Sequence, residues 1–428
     1  MAALCRDAAT AFQHGEPVSG PNHEEPRRDR LRLAGRWLVL IAAVALAWPL
    51  RKESSTSVFL PALSPYVALC STLAVRSLTV LTLLAVPVLL LVLFSPRWFC
   101  RHGCPVGLLQ EWVERLRPAT SARWQQVPPI GKWLALLTLG GACLGYPLFQ
   151  WLDPLALFNG FLNAWRQPLA AASLLTGLGL PVLLVLDLVF PRLWCQRVCP
   201  LGATQELLAW PRRWRRRSTR CEMEAGGELP CARGFSLARR GFLAACLGGA
   251  GAFALRVIRK PMPPLRPPGS LGEGGFTGVC IRCGNCAQAC PSRIIQPDFG
   301  ASGVAGLLTP VLRFEEDYCR EDCHRCNEVC PSGAIARLSL AAKRRRVIGP
   351  AEVNVETCLL ANGRECTACI KRCPYEAITL HSADGGFSTL PRVALGRCTG
   401  CGACEAVCPV RPRRAIRVVA RPGELAEG

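Results

Sequence analysis

Hydrophobic positions are concentrated before residue 200, where they form four long stretches separated by more polar loops. Each stretch is close to the roughly 20 residues that a helix needs to cross a bilayer, so the pattern predicts four transmembrane helices. These stretches are Leu33–Leu50, Ser77–Phe94, Gly131–Trp151 and Leu169–Phe190. A further apolar segment, Val58–Val75, is interrupted by Pro61 and Pro65. We interpret it as an interfacial or re-entrant piece on the outer side.

Basic residues are distributed unequally among the loops between these stretches. They collect before the first stretch, between the second and third, and after the fourth. By the positive-inside rule these three regions are cytoplasmic. The residues concerned are Arg27, Arg28, Arg30, Arg32 and Arg36; Arg97, Arg101, Arg115, Arg117, Arg123 and Lys132; and Arg212, Arg213, Arg215, Arg216, Arg217 and Arg220. The net charge of +21 therefore reflects membrane topology, and we expect no nucleic-acid partner.

The apolar half repeats itself. SPRWFCRHGCPVGLLQE (95–111) aligns without gaps onto FPRLWCQRVCPLGATQE (190–206), and SPYVAL (64–69) forms a looser pair with DPLALF (153–158). Each copy places a Cys-x-x-x-Cys-Pro motif at the cytoplasmic end of a predicted span. Four such thiolates can hold an iron–sulfur cluster or zinc, or form two redox-active pairs. We expect electrons to enter the protein at Cys100, Cys104, Cys195 and Cys199.

Four cysteine motifs follow residue 275, and each contains C-x2-C-x3-C-P. In such motifs three closely spaced thiolates bind one [4Fe–4S] cluster, and the cysteine before proline ligates the other cluster of a pair. Four motifs predict four [4Fe–4S] clusters in two ferredoxin-like pairs rather than zinc sites. Spacing alone allows motif one to pair with two and three with four. The predicted ligands are Cys280, Cys283, Cys286 and Cys290; Cys319, Cys323, Cys326 and Cys330; Cys358, Cys366, Cys369 and Cys373; and Cys398, Cys401, Cys404 and Cys408.

The segment LARRGFLAACLGGAGAFALR (237–256) joins the two halves and has the features of a twin-arginine export signal. Arg239 and Arg240 precede a weakly apolar stretch, which we interpret as a fifth transmembrane segment. A fifth crossing places the C-terminal domain in the periplasm. The alternative is a cytoplasmic hairpin that leaves this domain inside. We expect the Pro-rich KPMPPLRPPG (260–269) to act as a semi-rigid spacer.

The predicted fold is therefore multi-domain: an α-helical transmembrane bundle followed by an α+β ferredoxin-like domain with four [4Fe–4S] motifs. We expect a bacterial inner-membrane protein that crosses the membrane several times. The predicted parts are a disordered cytoplasmic N-terminus (1–30), a four-helix membrane domain (31–210), a basic cytoplasmic linker (211–236), a signal-like fifth segment (237–258), a Pro/Gly-rich spacer (259–275) and a polyferredoxin domain (276–428).

These motifs resemble a known group of iron–sulfur proteins. The C-terminal half is similar to the NapG and MauM ferredoxin-type proteins, and the N-terminal half is similar to their membrane companions, NapH and MauN. The chain resembles a fusion of the two. One departure is that the interval that carries a cytoplasmic ferredoxin domain in the membrane companion holds only Cys221 and Cys231 here.

The resemblance implies a membrane-anchored electron-transfer subunit. Electrons would pass from quinol in the membrane pool, through the clusters, to a periplasmic reductase or dehydrogenase such as a nitrate reductase-like partner. By resemblance to four-cluster ferredoxin subunits, we expect motif one to pair with four and two with three. The alternative function is redox maturation or repair of a periplasmic metalloenzyme of the methylamine dehydrogenase, nitrate reductase or nitrous oxide reductase type.

Overall fold

The structure is a computed structural model that describes residues 25–47, 56–115, 128–165, 175–212, 235–257, 263–300, 302–383 and 388–420. The predicted disordered N-terminus up to residue 24, Arg213–Arg220, Cys221 and Cys231 lie outside the described residues. The N-terminal half contains α1 (Glu25–Ala47), α2 (Phe59–Ala62), α3 (Pro65–Val75), α4 (Val80–Leu83), α5 (Val86–Phe94), α6 (Trp98–His102), α7 (Pro105–Arg115), α8 (Ile130–Cys143), α9 (Pro154–Ala164), α10 (Gly179–Val189), α11 (Pro200–Leu208) and α12 (Phe235–Val257).

Helices occupy the described parts of the apolar stretches. Within the described ranges, no single helix is both long and apolar enough to cross a membrane. The pair Thr56–Ala62 and Pro65–Val75 reaches that length and composition together, with a bend of 87° between the two helices. The bend lies in the proline-containing segment: Pro65 begins α3, and the Ser64 side chain caps it by accepting the backbone N–H of Val67.

The sequence repeat is also a structural repeat. Ser64 and Asp153, at equivalent positions, are the N-caps of α3 and α9. The two caps meet in the buried interior, where Ser64 Oγ donates to Asp153 Oδ1 at 2.6 Å. Arg97 and Arg192, also equivalent, adopt left-handed backbone conformations with φ of 58° and 59°. The two copies therefore share local geometry and contact each other through their helix N-termini.

The helix that carries the twin arginines, α12, packs along α8 through small residues. A Cβ atom on Gly140 would lie 2.0 Å from the backbone oxygen of Ala245, and one on Gly248 would lie 2.1 Å from that of Leu137. The two backbones are therefore in direct contact, as small residues permit where two helices pack closely. The signal-like segment is thus an integral part of the helical half, with Arg240 exposed.

The C-terminal half consists of short helices and two-stranded antiparallel sheets. Its helices are α13 (Glu273–Val279), α14 (Asn285–Ala289), α15 (Arg325–Glu328), α16 (Leu340–Arg345), α17 (Ala368–Arg372) and α18 (Ala403–Val407). Its strands are β1 (Ile295–Pro297), β2 (Pro310–Leu312), β3 (Ala351–Val353), β4 (Ile378–Ala383), β5 (Ser388–Val393) and β6 (Ile416–Val418). The pairs are β1 with β2, β3 with β6 and β4 with β5.

The strands close this half into two successive units. The first is tied at its ends by an antiparallel bridge between Ser270 and Ile335. The second is tied by β3 and β6, in which Ala351 pairs with Val418 and Val353 pairs with Ile416. Each unit contains two of the four cysteine motifs, so motifs one and two share one unit and motifs three and four share the other.

The Pro-rich segment is not a spacer where the structure describes it, from residue 263 onward. The buried Arg266 guanidinium makes two bonds to Glu273, at 2.7 and 2.8 Å, and donates to Thr309 Oγ1 at 2.8 Å. It also lies 4.6 Å from the centre of the Phe276 ring. The expected spacer is therefore wrong for this part, because a buried ion pair, invisible in the composition, fixes the segment to the first unit.

Candidate metal centres

The sixteen predicted cysteines form four groups of four in the C-terminal half. In each group three cysteines come from one motif and the fourth is the last cysteine of the neighbouring motif. Three groups line cavities: set one (Cys280, Cys283, Cys286 and Cys330), set three (Cys358, Cys366, Cys369 and Cys408) and set four (Cys398, Cys401, Cys404 and Cys373). Set two comprises Cys319, Cys323, Cys326 and Cys290, which interact electrostatically with one another.

This grouping corrects the pairing that we expected from resemblance. Motif one exchanges its last cysteine with motif two, and motif three exchanges its last cysteine with motif four. The pairing of one with four and two with three is wrong. The physical reason is local closure: each unit is tied at its own ends, so the last cysteine of a motif reaches only the neighbouring motif of the same unit.

The chemistry of each set fits an iron–sulfur cluster. In sets one, three and four, all four thiols line one cavity. Burial raises the pKa of Cys369 and that of Cys401 to about 11, so bound iron is the natural source of the positive charge that four thiolates need. As the side chains stand, no three or more His, Cys, Asp or Glu residues among those described are arranged to hold a metal ion. The assignment rests on motif spacing for all four sets and, for sets one, three and four, also on four cysteines that line one cavity.

Backbone donors support the same assignment. The N–H of Ile335 donates to Cys330 Sγ at 3.4 Å, and the N–H of Ala377 donates to Cys373 Sγ at 3.3 Å. The donors lie five and four residues after the last cysteine of motif two and of motif three, respectively. Hydrogen bonds to ligand sulfurs are among the features by which proteins tune iron–sulfur clusters.

The four sets follow one another in space. Sets one and two share the first unit. The backbone N–H of Cys319 donates to the backbone oxygen of Cys401 at 2.8 Å, which places set two beside set four of the second unit. Set three shares the second unit with set four. The order is therefore set one, two, four, three, which differs from the order of the motifs along the chain.

Set one lies against the helical half through a group of buried amides. Asn159 and Asn163 of α9 donate to the backbone oxygen of Cys283 at 3.2 and 2.8 Å. The same two amides donate to Asn285 Oδ1 at 2.7 and 2.9 Å, and Ser57 Oγ donates to this oxygen at 3.1 Å. We call these contacts the asparagine bridge. Sequence reasoning missed it, although two asparagines four residues apart on an apolar helix share one face and are a detectable signal.

The cysteines of the two Cys-x-x-x-Cys-Pro motifs meet in the helical half. Cys195 interacts electrostatically with all three of the others, Cys199, Cys104 and Cys100. Cys104 and Cys199 are buried, and Cys100 and Cys195 are partly exposed. We call these four residues the CxxxCP group. The predicted meeting of the two repeats is therefore present in the structure.

Ion pairs surround the CxxxCP group at the glutamates that end the repeats. Arg36 of α1 pairs with Glu111. The equivalent Glu206 pairs with Arg97 at 2.6 Å and with Lys132 at 2.9 Å. Basic residues that the sequence assigns to the cytoplasmic side thus neutralise acidic residues next to the cysteine motifs.

Family models match both halves of the chain. A model described as a 4Fe-4S dicluster domain matches residues 279–334 and 364–411, so one match spans motifs one and two and the other spans most of motifs three and four. A model described as a 4Fe-4S binding domain matches residues 77–122 and 172–218, which contain the two halves of the CxxxCP group. No solved structure matches.

Curated relatives match about two fifths of the chain. The ferredoxin-type protein NapG of Escherichia coli is 39% identical over 173 residues, covering 38% of this chain and 73% of the relative. The methylamine utilization ferredoxin-type protein MauM of Methylophilus methylotrophus is 39% identical over 170 residues, with coverages of 38% and 73%. MauM of Paracoccus denitrificans is 38% identical over 189 residues, with coverages of 41% and 81%. The chain belongs to the NapG/MauM family of ferredoxin-type iron–sulfur proteins.

Proposed function

We propose that this protein carries electrons from quinol in a membrane to a periplasmic redox enzyme, with the helical half taking up electrons and the C-terminal half delivering them. The observation that carries the proposal is the asparagine bridge, which fixes set one directly on the helical half. A bound [4Fe–4S] cluster would supply reversible one-electron chemistry at each cysteine set.

One helix connects the two redox-active regions. Asp153, at the start of α9, is an electrostatic neighbour of both Cys104 and Cys199. Asn163, near the other end of α9, contacts set one. At 1.5 Å of rise per residue, these two positions are about 15 Å apart along the helix axis. Tunnelling rates fall steeply with distance, so a single short helix between donor and acceptor favours direct transfer from one half to the other.

The CxxxCP group is proposed as a fifth iron–sulfur site and as the point where electrons enter. Support comes from the duplicated match to a 4Fe-4S binding domain and from the meeting of four thiols in one group. Iron analysis of the anaerobically purified full chain tests this. We expect about sixteen iron atoms from sets one to four and about four more from the CxxxCP group. Iron near sixteen would contradict the fifth site, and iron near eight with stoichiometric zinc would contradict four clusters in sets one to four.

We also propose that the helical half is anchored in the bacterial inner membrane and that the C-terminal half lies in the periplasm. Support comes from the placement of set one against Ser57 and Asn159, which lie in segments assigned by loop charge to the outer side. A reporter fused after Gly428 should be periplasmic. Replacement of Arg239 and Arg240 by lysine should retain it inside. A cytoplasmic reporter on the unmodified chain would overturn the placement.

The names of the relatives suggest the class of partner. MauM is named for methylamine utilization, and NapG is named as a ferredoxin-type protein. A periplasmic reductase or dehydrogenase is accordingly the proposed acceptor. The test is to assay that enzyme with an artificial electron donor in cells that lack this protein. Full activity supports electron delivery, whereas an inactive partner enzyme supports the maturation alternative.

A further inference from the structure

The glutamine in each copy of the duplicated motif lies beside a cysteine of the other copy. Gln205 Nε2 donates to Cys100 Sγ at 3.2 Å, and the Gln110 amide contacts Cys195 Sγ. Both glutamines are buried, with 0% and 2% of their surface exposed. The relation is reciprocal, because each repeat supplies the amide that contacts the sulfur of the other.

Each of these amides leaves one buried atom without a partner among the described residues: Nε2 of Gln110 and Oε1 of Gln205. The two amides differ only in orientation, and the oxygen and nitrogen of an amide exchange places by a half-turn. When Cys195 is a metal-bound thiolate, it has no S–H to donate to the Gln110 oxygen. The favourable orientation then turns Nε2 of Gln110 toward the sulfur, as in Gln205.

The other two sulfurs of the CxxxCP group face backbone donors. Cys104 and Cys199 directly precede α7 and α11, and the first amides of these helices lie beside the two sulfurs, including those of Gly107 and Gly202. A helix N-terminus favours negative charge. With the glutamines oriented as above, each of the four sulfurs faces N–H donors, two through helix termini and two through side-chain amides.

We propose that Gln110 and Gln205 are positioning residues that donate N–H groups to the ligand sulfurs of the opposite repeat and raise the reduction potential of the CxxxCP group. This inference rests on the proposed function, in which that group binds an iron–sulfur cluster. Each electron that the site takes up adds one negative charge to it. Donors to sulfur stabilise this charge more strongly in the reduced state than in the oxidised state, so they make reduction easier.

A redox titration of the full-length protein, monitored by electron paramagnetic resonance, tests the inference. The spectral component that is absent from a Cys100→Ser variant identifies the CxxxCP group. Gln205→Leu removes the N–H group, and Gln205→Glu keeps the shape but presents carboxylate oxygens. We expect the potential to fall in the order Gln, Leu, Glu. For Gln205→Leu we expect the oxidised-to-reduced ratio at a fixed potential to rise about tenfold. This is a fall in reduction potential of about 59 mV for a one-electron couple.

Two comparisons control the experiment. The Gln110 variants should give the same order, because the two sites are related by the repeat. Gln150→Leu removes an equally buried amide whose Nε2 donates to Ser71 Oγ at 2.6 Å rather than to a cysteine, and it should leave the potential unchanged.

The outcomes separate this inference from the proposed function. If Cys100→Ser removes a component whose potential is unchanged in the glutamine variants, the inference is wrong and the fifth site stands. If the glutamine variants lose iron without an ordered shift in potential, the amides are structural and the inference is again wrong. If Cys100→Ser removes neither iron nor a spectral component, both the inference and the fifth site are wrong.

Discussion

Replacing Asn159 and Asn163 by leucine should loosen the contact between set one and the helical half. Leucine is close to asparagine in size but has no N–H group. Each single substitution removes two hydrogen bonds, one to the backbone oxygen of Cys283 and one to Asn285 Oδ1. Each hydrogen bond contributes a net 0.5 to 1.5 kcal/mol, so each single substitution should lower the free energy of local opening by about 1 to 3 kcal/mol. The equilibrium constant for opening should then increase roughly 5- to 150-fold.

The double variant should lower the free energy of local opening by more than the two single variants do together. After either single substitution, the remaining asparagine still donates to the Cys283 oxygen. After both, this buried oxygen keeps no donor among the described side chains, which adds a desolvation cost of about 1 to 3 kcal/mol. A coupling of that size between Asn159 and Asn163 is the signature of a shared acceptor.

Hydrogen–deuterium exchange of segment 280–290 in the anaerobically purified full chain measures this opening. The matched control is Asn362→Leu, because Asn362 Nδ2 donates to the backbone oxygen of Cys358 at 2.8 Å but lies on an exposed loop of the second unit. The control should leave exchange in 280–290 unchanged. Exchange in the double variant within about twofold of the unmodified protein would refute the role of the asparagine bridge.

Three further experiments test other parts of the structure. Arg266→Leu breaks a buried ion pair of the first unit, so thermal unfolding of the C-terminal half should show a loss of about 3 to 5 kcal/mol; an unchanged melting temperature would contradict the packing of the Pro-rich segment. Gly248→Val should lower the abundance of full-length protein on immunoblots, whereas Gly35→Ala, with nothing within 4 Å of the added Cβ, should not. Cys330→Ser and Cys283→Ser should remove the same paramagnetic signal; loss of different signals would contradict the pairing of motifs one and two.

The candidate ligands were predictable from sequence because the spacing of the cysteines in each motif is local information. Three cysteines within seven residues, as in Cys280–Cys286, form a tight loop whatever surrounds them, and the proline after the fourth cysteine marks the exchange of ligands between clusters. Which two motifs exchange their last cysteines was not predictable in this way. It depends on which chain ends meet, and the bridge between Ser270 and Ile335 that closes the first unit has no sequence signature.

Long-range polar contacts were not identified from the sequence, although the spacing of Asn159 and Asn163 is a detectable signal. These two asparagines bind partners more than 100 residues away, and Arg266 of the first unit binds Thr309 more than 40 residues away. The glutamines were visible as matched positions of the repeat, but spacing gave them no chemical role. That role follows only from the crossing of the repeats, which brings Gln205 to Cys100 and Gln110 to Cys195.

The most direct test of electron transfer between the halves is the rate at which quinol reduces sets one to four, measured per molecule by absorbance in the full-length protein. Serine should replace each member of the CxxxCP group in turn, and Cys143→Ser serves as the control because Cys143 is an exposed cysteine of α8. We expect each of the four variants to lose quinol-dependent reduction but to remain fully reducible by dithionite. The Cys143→Ser control should keep the quinol-dependent rate of the unmodified protein. Normal quinol-dependent rates in all four variants, at normal protein abundance, would contradict the account.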